Sequence, residues 1–62
     1  MNLKKIRLER GLTQKQLADK CNMSVNYIAN FESGSRDIAG ASGRNLLIIA
    51  KALECTIEEL LK

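Results

Sequence analysis

Asn26 and Asn30 stand four residues apart in the stretch Ser24-Val25-Asn26-Tyr27-Ile28-Ala29-Asn30-Phe31, a spacing that puts two side chains on one face of a helix. A carboxamide carries a donor beside an acceptor, which matches the N6/N7 edge of adenine in a major groove, and a neighbouring valine can pack on a thymine methyl. Neither asparagine has a reason to sit in a core, because Ile28 and Phe31 supply the apolar spacing and Met23 or Val25 completes it. The chemistry open to Val25, Asn26 and Asn30 is recognition of base edges, and the alternative reading of the same spacing is an ordinary pair of packed helices in a small bundle. Catalysis has no comparable footing. The 62 residues contain no histidine, the serines and cysteines lack a paired base, and the acids are dispersed. No phosphate-cradling glycine loop or metal-ligand cluster is present either.

Those three side chains need a frame, and residues 13–34, TQKQLADKCNMSVNYIANFESG, read as two short helices joined by a sharp turn. Thr13 can cap the first at 14–21, with Gln16 three residues on completing a capping box. Leu17, Ala18 and Cys21 give it an apolar face, and Asn22 tolerates the positive φ that ends it. Ser24 caps the second at 25–32, and Gly34 stops it. Helices below about 12–15 residues are marginal alone in water, so this pair needs further elements behind it.

The rest of the chain supplies them. Residues 2–10 form a first helix with Leu3, Ile6 and Arg10 on one side and Arg7 beside them, ended by Gly11, after which Leu12 packs back. Ser42 caps a helix at 43–53 whose Leu46, Ile49, Ala50 and Leu53 make a core face. Thr56 and Glu59 form a second capping box for a last helix at 57–61, where Ile57, Leu60 and Leu61 pack back on the core. Between them, residues 35–43 are glycine- and serine-rich and read as loop. Glu54 occupies a helix stop where positive φ costs a residue with Cβ about 1 kcal/mol.

Composition agrees with an all-α chain. There is no proline, one Phe and one Tyr, whereas a sheet would be enriched in β-branched and aromatic residues. A chain this short carries one small core, so a single domain over 1–62 is expected and no catalytic-scale pocket. The formal charge is +3, unevenly spread. Residues 1–36 hold seven basic against three acidic residues, and 37–62 hold three against four. The positive half coincides with the helix pair, as a footprint on a polyanion requires, although a net of +4 is also a normal solvated surface. Cys21 and Cys55 fall on apolar positions and read as reduced, buried small hydrophobes without metal or redox work. No segment has the apolar length of a leader or a membrane span, so a cytoplasmic protein is expected.

The ordered set Thr13-Gln14…Leu17-Ala18…Met23-Ser24…Ile28…Phe31-Glu32-Ser33-Gly34 resembles the Cro/phage-repressor helix-turn-helix family, the XRE-like regulators. The likeness continues through Leu46-Leu47-x-Ile49-Ala50-Lys51-Ala52-Leu53 and Thr56-Ile57-Glu58-Glu59-Leu60. It implies a five-helix domain of the lambda-repressor-like type with the start of the third helix in the major groove. It also implies an Arg7–Glu32 ion pair tying the first helix to the third, and Gln14 as a phosphate clamp at the second helix's N-terminus. Ser24, Tyr27, Ser35, Arg36 and Arg44 join as backbone or mixed contacts, Tyr27 stacking on sugar, donating to phosphate or reaching a base. Two departures stand out. Many relatives carry a longer or charged residue at Val25 or Asn30, so this reading surface is short, uncharged and A·T-leaning. The 35–43 link is about three residues longer than usual, lacks proline and has Gly43 where an apolar anchor is common, leaving Ile38 to fill that place or lie exposed.

The resemblance implies a transcriptional regulator of double-stranded DNA, most simply a repressor. One helix pair reads few base pairs and each mismatch costs only about 1–3 kcal/mol, so a homodimer on a palindrome is expected. Leu47, Ile48 and Leu61 are apolar in excess of what one small domain buries and are the candidates for its interface. The alternative is a protein-interaction module, an antitoxin or anti-repressor partner, on the same scaffold. Neither reading calls for a cofactor, a metal or a small-molecule ligand.

Overall fold

Four of the five helices begin at a hydroxyl, and each hydroxyl takes up an amide the helix cannot satisfy itself. The computed structural model describes residues 2–36 and 40–62, which form α1 (Leu3–Glu9), α2 (Gln14–Cys21), α3 (Val25–Ser33), α4 (Gly43–Ala52) and α5 (Ile57–Leu61). Thr13 Oγ1 accepts from the Gln16 amide at 3.0 Å while Gln16 Oε1 accepts from the Thr13 amide at 2.8 Å. Thr56 and Glu59 repeat that reciprocal box before α5. Ser24 caps α3 through the Tyr27 amide, and Ser42 caps α4 through the Asn45 amide. The molecule is all-helical among the described residues.

The first helix departs from its sequence reading at both ends. Asn2 precedes α1 without a side-chain cap. Its amide donates instead to the Leu60 carbonyl at 3.1 Å, and its Nδ2 to the Glu59 carbonyl at 3.3 Å, fastening the start of the chain to α5. Arg10 lies just past the helix and is exposed, whereas Leu3, Ile6 and Arg7 are buried. Its guanidinium reaches across to α4, Nε donating to the Leu53 carbonyl at 2.7 Å and Nη2 to the Glu54 carbonyl at 3.3 Å. Arg10 therefore satisfies the carbonyls that α4 leaves open at its C-terminus, with its charge at the negative end of that helix dipole.

The core is Leu3 and Ile6 of α1, Leu17, Ala18 and Cys21 of α2, Ile28 and Phe31 of α3, Leu46, Ile49 and Ala50 of α4, then Leu53 and Leu60. Leu12, Met23, Tyr27, Ile48, Cys55 and Ile57 pack around it, partly buried. Met23, not Val25, completes the buried side of α3. Leu61 does not pack back with Leu60; it is 43% exposed. Burial pushes the Cys21 and Cys55 thiols up, which keeps both protonated. At Gly43 an added Cβ would meet nothing within 4 Å, so the absent side chain leaves open solvent. Ile38 lies outside the described residues.

One polar cluster is buried with this core. Arg7 Nε donates to Glu32 Oε2 at 2.7 Å and Nη2 to Oε1 at 2.9 Å, a two-pronged pair with side chains 7% and 4% exposed. Arg7 Nη1 adds the Leu12 carbonyl at 2.7 Å, and Gln14 Nε2 donates to Glu32 Oε1 at 3.1 Å. No buried side-chain polar atom is left without a partner among the described residues. Burial alone would raise the Glu32 carboxyl, but the bonds from Arg7 and Gln14 and the charges of Arg7 and Lys4 together hold it below its ordinary value of 4.5. The hydrogen bond to Glu32 raises the Arg7 guanidinium in turn.

A depressed carboxyl contributes stability that is present above its unfolded value and lost as pH falls through the folded one. Unfolding free energy should therefore be level near neutrality and fall below about pH 4.5. Glu32→Gln should cost about 3 kcal/mol at pH 7, because it leaves the Arg7 charge buried without its counterion. The same variant should flatten the acid limb without abolishing it, since Glu59, lowered by its bonds to Thr56, still titrates there. Urea melts across pH 3–7 measure both; an unchanged acid limb in the variant would contradict this account. Glu54 has φ 55°, and Arg10 binds only its carbonyl. Glu54→Gly should accordingly raise stability by about 1 kcal/mol, read from the same melts.

Candidate nucleic-acid interface

The turn between α2 and α3 is set by one residue. Asn22 takes the left-handed conformation, φ 56° and ψ 44°, and its amide donates to the α2 carbonyls that would otherwise be open. The Met23 amide then closes on the Ala18 carbonyl at 2.9 Å. Ser24 follows in extended backbone and caps α3 at once. Only Asn22, Met23 and Ser24 separate the helices, and α3 is anchored below by Ile28 and Phe31, both fully buried.

That anchoring leaves the opposite face of α3 open. Val25 is 42% exposed, and Asn26 and Asn30 are both exposed one turn apart. The carboxamides of Asn26 and Asn30 make no hydrogen bond among the described residues. Several polar groups close to them in the chain are engaged. Ser24 Oγ accepts from the Tyr27 amide, and Ser33 Oγ donates to the Asn30 carbonyl at 3.2 Å and stands 3.0 Å from Ser35 Oγ. The Arg36 amide also donates to the Asn30 carbonyl, at 3.1 Å. This closes the exit of α3 after Gly34, whose φ of 85° suits glycine.

Tyr27 is placed differently from the asparagines. It is partly buried, edge-on to Phe31 with ring centroids 4.6 Å apart. Its Oη accepts from Asn45 Nδ2 at 3.0 Å, and Arg36 Cζ lies 5.3 Å from its ring centroid. Its ring is therefore held within the monomer by α3, α4 and Arg36. Gln14 is also turned partly inward, onto Glu32. An amide nitrogen has two protons, so one N–H of Gln14 is left beyond that bond.

Cations surround this face in part. Every basic residue except Arg7 is exposed, and Lys4 is near enough to Glu32 to act on its carboxyl. Arg44 is exposed in the first turn of α4, and Ser35 is exposed beside Arg36. Leu47 is 46% exposed on α4, whereas Ile48 packs partly on the core, so the surplus apolar surface of α4 is narrower than its sequence suggests. Asn45 and Arg10 were not among the sequence candidates. Their partners lie 18 and 43 positions away, and no local pattern announces such pairs.

No group of three or more metal-ligating side chains is assembled among the described residues. Among the described residues no helix is long and apolar enough to cross a membrane.

A family model described as helix-turn-helix, HTH_3, matches residues 3–60. Comparison with curated proteins and with solved structures found no match. The match runs through all five helices and brackets the α2–turn–α3 unit just described. The chain belongs to the Cro/C1-type, XRE-like family of DNA-binding helix-turn-helix regulators.

Proposed function

We propose that residues 1–62 act as one domain that binds a specific double-stranded DNA site and represses transcription by occupying it. The observation that carries this reading is the start of α3, where Val25, Asn26 and Asn30 stand exposed on a helix locked from below. Asn26 and Asn30 pair with adenine edges and Val25 packs on a thymine methyl. Gln14, Ser24, Tyr27, Ser35, Arg36 and Arg44 take the backbone and set the register without reading sequence. The reader is uncharged, so affinity comes from phosphate contacts and discrimination from short, close ones.

The operator is a palindrome bound by two copies, with half-sites about one helical turn apart, because a single α3 cannot select a genomic site at about 1–3 kcal/mol per base pair. Exposed Leu47 and Leu61, with Ile48 at the edge, are the surface for the second copy. The protein works where the chromosome is, in the cytoplasm, and carries out no chemistry of its own.

Selection from random duplexes, followed by footprinting, tests this. The wild type should protect one palindromic site, with log affinity falling linearly in log salt. Asn26→Ala and Asn30→Ala should each cost about 1–3 kcal/mol and relax preference at particular base pairs. Uniform loss across sequences would demote both asparagines to backbone contacts, and no change would move the interface elsewhere. Salt-insensitive association with a protein and no footprint would replace this reading with an interaction module.

A further inference from the structure

Three segments of the chain meet at the phenol of Tyr27. Its ring stands edge-on against Phe31, which is fully buried, at 4.6 Å between centroids and 75° between planes. Its Oη accepts from Asn45 Nδ2, in the first turn of α4, at 3.0 Å. Over the ring lies the Arg36 guanidinium, 5.3 Å from the centroid, on a backbone pinned to the Asn30 carbonyl. The phenol uses a lone pair for Asn45 and keeps its own O–H proton as a donor. A guanidinium over a ring face still has N–H groups to donate.

We propose that Tyr27 and Arg36 form a single binding unit for one phosphodiester of the DNA backbone, with Asn45 as its positioning residue. Tyr27 Oη–H supplies a neutral donor, and Arg36 supplies the charge and further N–H groups. Asn45 fixes the phenol in place and, by donating into Oη, strengthens the O–H as a donor. The ring pre-orders Arg36, a long side chain that would otherwise lose its rotamer freedom on binding. The unit rests on the DNA-binding reading above but is a distinct element of it, contacting backbone and reading no base.

The test is titration of the full chain against a fluorescent duplex carrying its selected site, over a range of NaCl concentrations. Arg36→Gln should weaken binding about tenfold near 0.1 M salt and reduce the salt slope by about one. Tyr27→Phe keeps the ring and the fold, which thermal melts check. It should weaken binding severalfold with the slope unchanged, because a neutral donor is lost. Asn45→Ala should weaken wild-type binding comparably and do little further harm in the Tyr27→Phe background, since it acts through Oη. Base preference should be the same in every variant. Wild-type binding with an unaffected Tyr27→Phe variant, an unchanged salt slope in Arg36→Gln, additive losses for Tyr27 and Asn45, or altered base preference would each overturn the unit while leaving the DNA-binding reading intact. A wild type that binds no duplex would overturn both.

Discussion

The buried pair between Arg7 and Glu32 links the two helices that matter most to each other. A guanidinium and a carboxylate taken out of water are tolerable only when their hydrogen-bonding capacity is used, and here it is. Glu32 accepts from both prongs of Arg7 and from Gln14, while Arg7 keeps a further N–H for the Leu12 carbonyl. A single carboxylate at the end of α3 thus gathers α1, the link after it and the start of α2. The arrangement is directional as well as attractive. A two-pronged pair fixes the orientation of α3 about its own axis in a way that apolar packing of Ile28 and Phe31 alone would not, and that orientation decides which side chains face outward.

A second set of polar ties closes the ends of a chain too short to rely on apolar burial. Arg10 caps α4 and Asn2 joins the last turn of α5, so α1 is held by its buried side, by its flanks and by the ion pair. The strained backbone at Glu54 sits within this closure. Its carbonyl, together with that of Leu53, meets Arg10. α1 and α4, joined to each other through α5, form a support on which α3 and α2 rest.

Seen from the proposed DNA side, the same economy recurs. Ser24, Gln14 and Tyr27 each make one internal bond and retain one donor, so the residues that brace the monomer can also face a phosphate. Asn26 and Asn30 are the exception, their carboxamides bonded to nothing among the described residues. In the proposed complex, division of labour between braced backbone contacts and unencumbered readers would keep the register rigid, and rigidity is what lets short, uncharged side chains discriminate.

Read from sequence, the helices were legible to within a residue or two because their signals are local: a hydroxyl before the helix, a Gln or Glu three residues on, an asparagine or glycine at the stop. The exposure of Asn26 and Asn30 followed from helical period, since Ile28 and Phe31 had to take the other face. The Arg7–Glu32 pair was accessible only through family likeness, because nothing within either helix points to a partner 25 positions away. Tyr27, Arg10, Asn45 and Leu61 were beyond reach for the same reason. An amphipathic residue in a short helix can turn inward or outward at similar cost, and the choice depends on what other helices bring to it. Amino-acid order by itself determined where the backbone coils and which faces are apolar, because hydrogen bonds and period act over three or four residues. Tertiary structure alone decided which polar side chains are consumed in bracing and which stay free, because that requires knowing how the five helices approach.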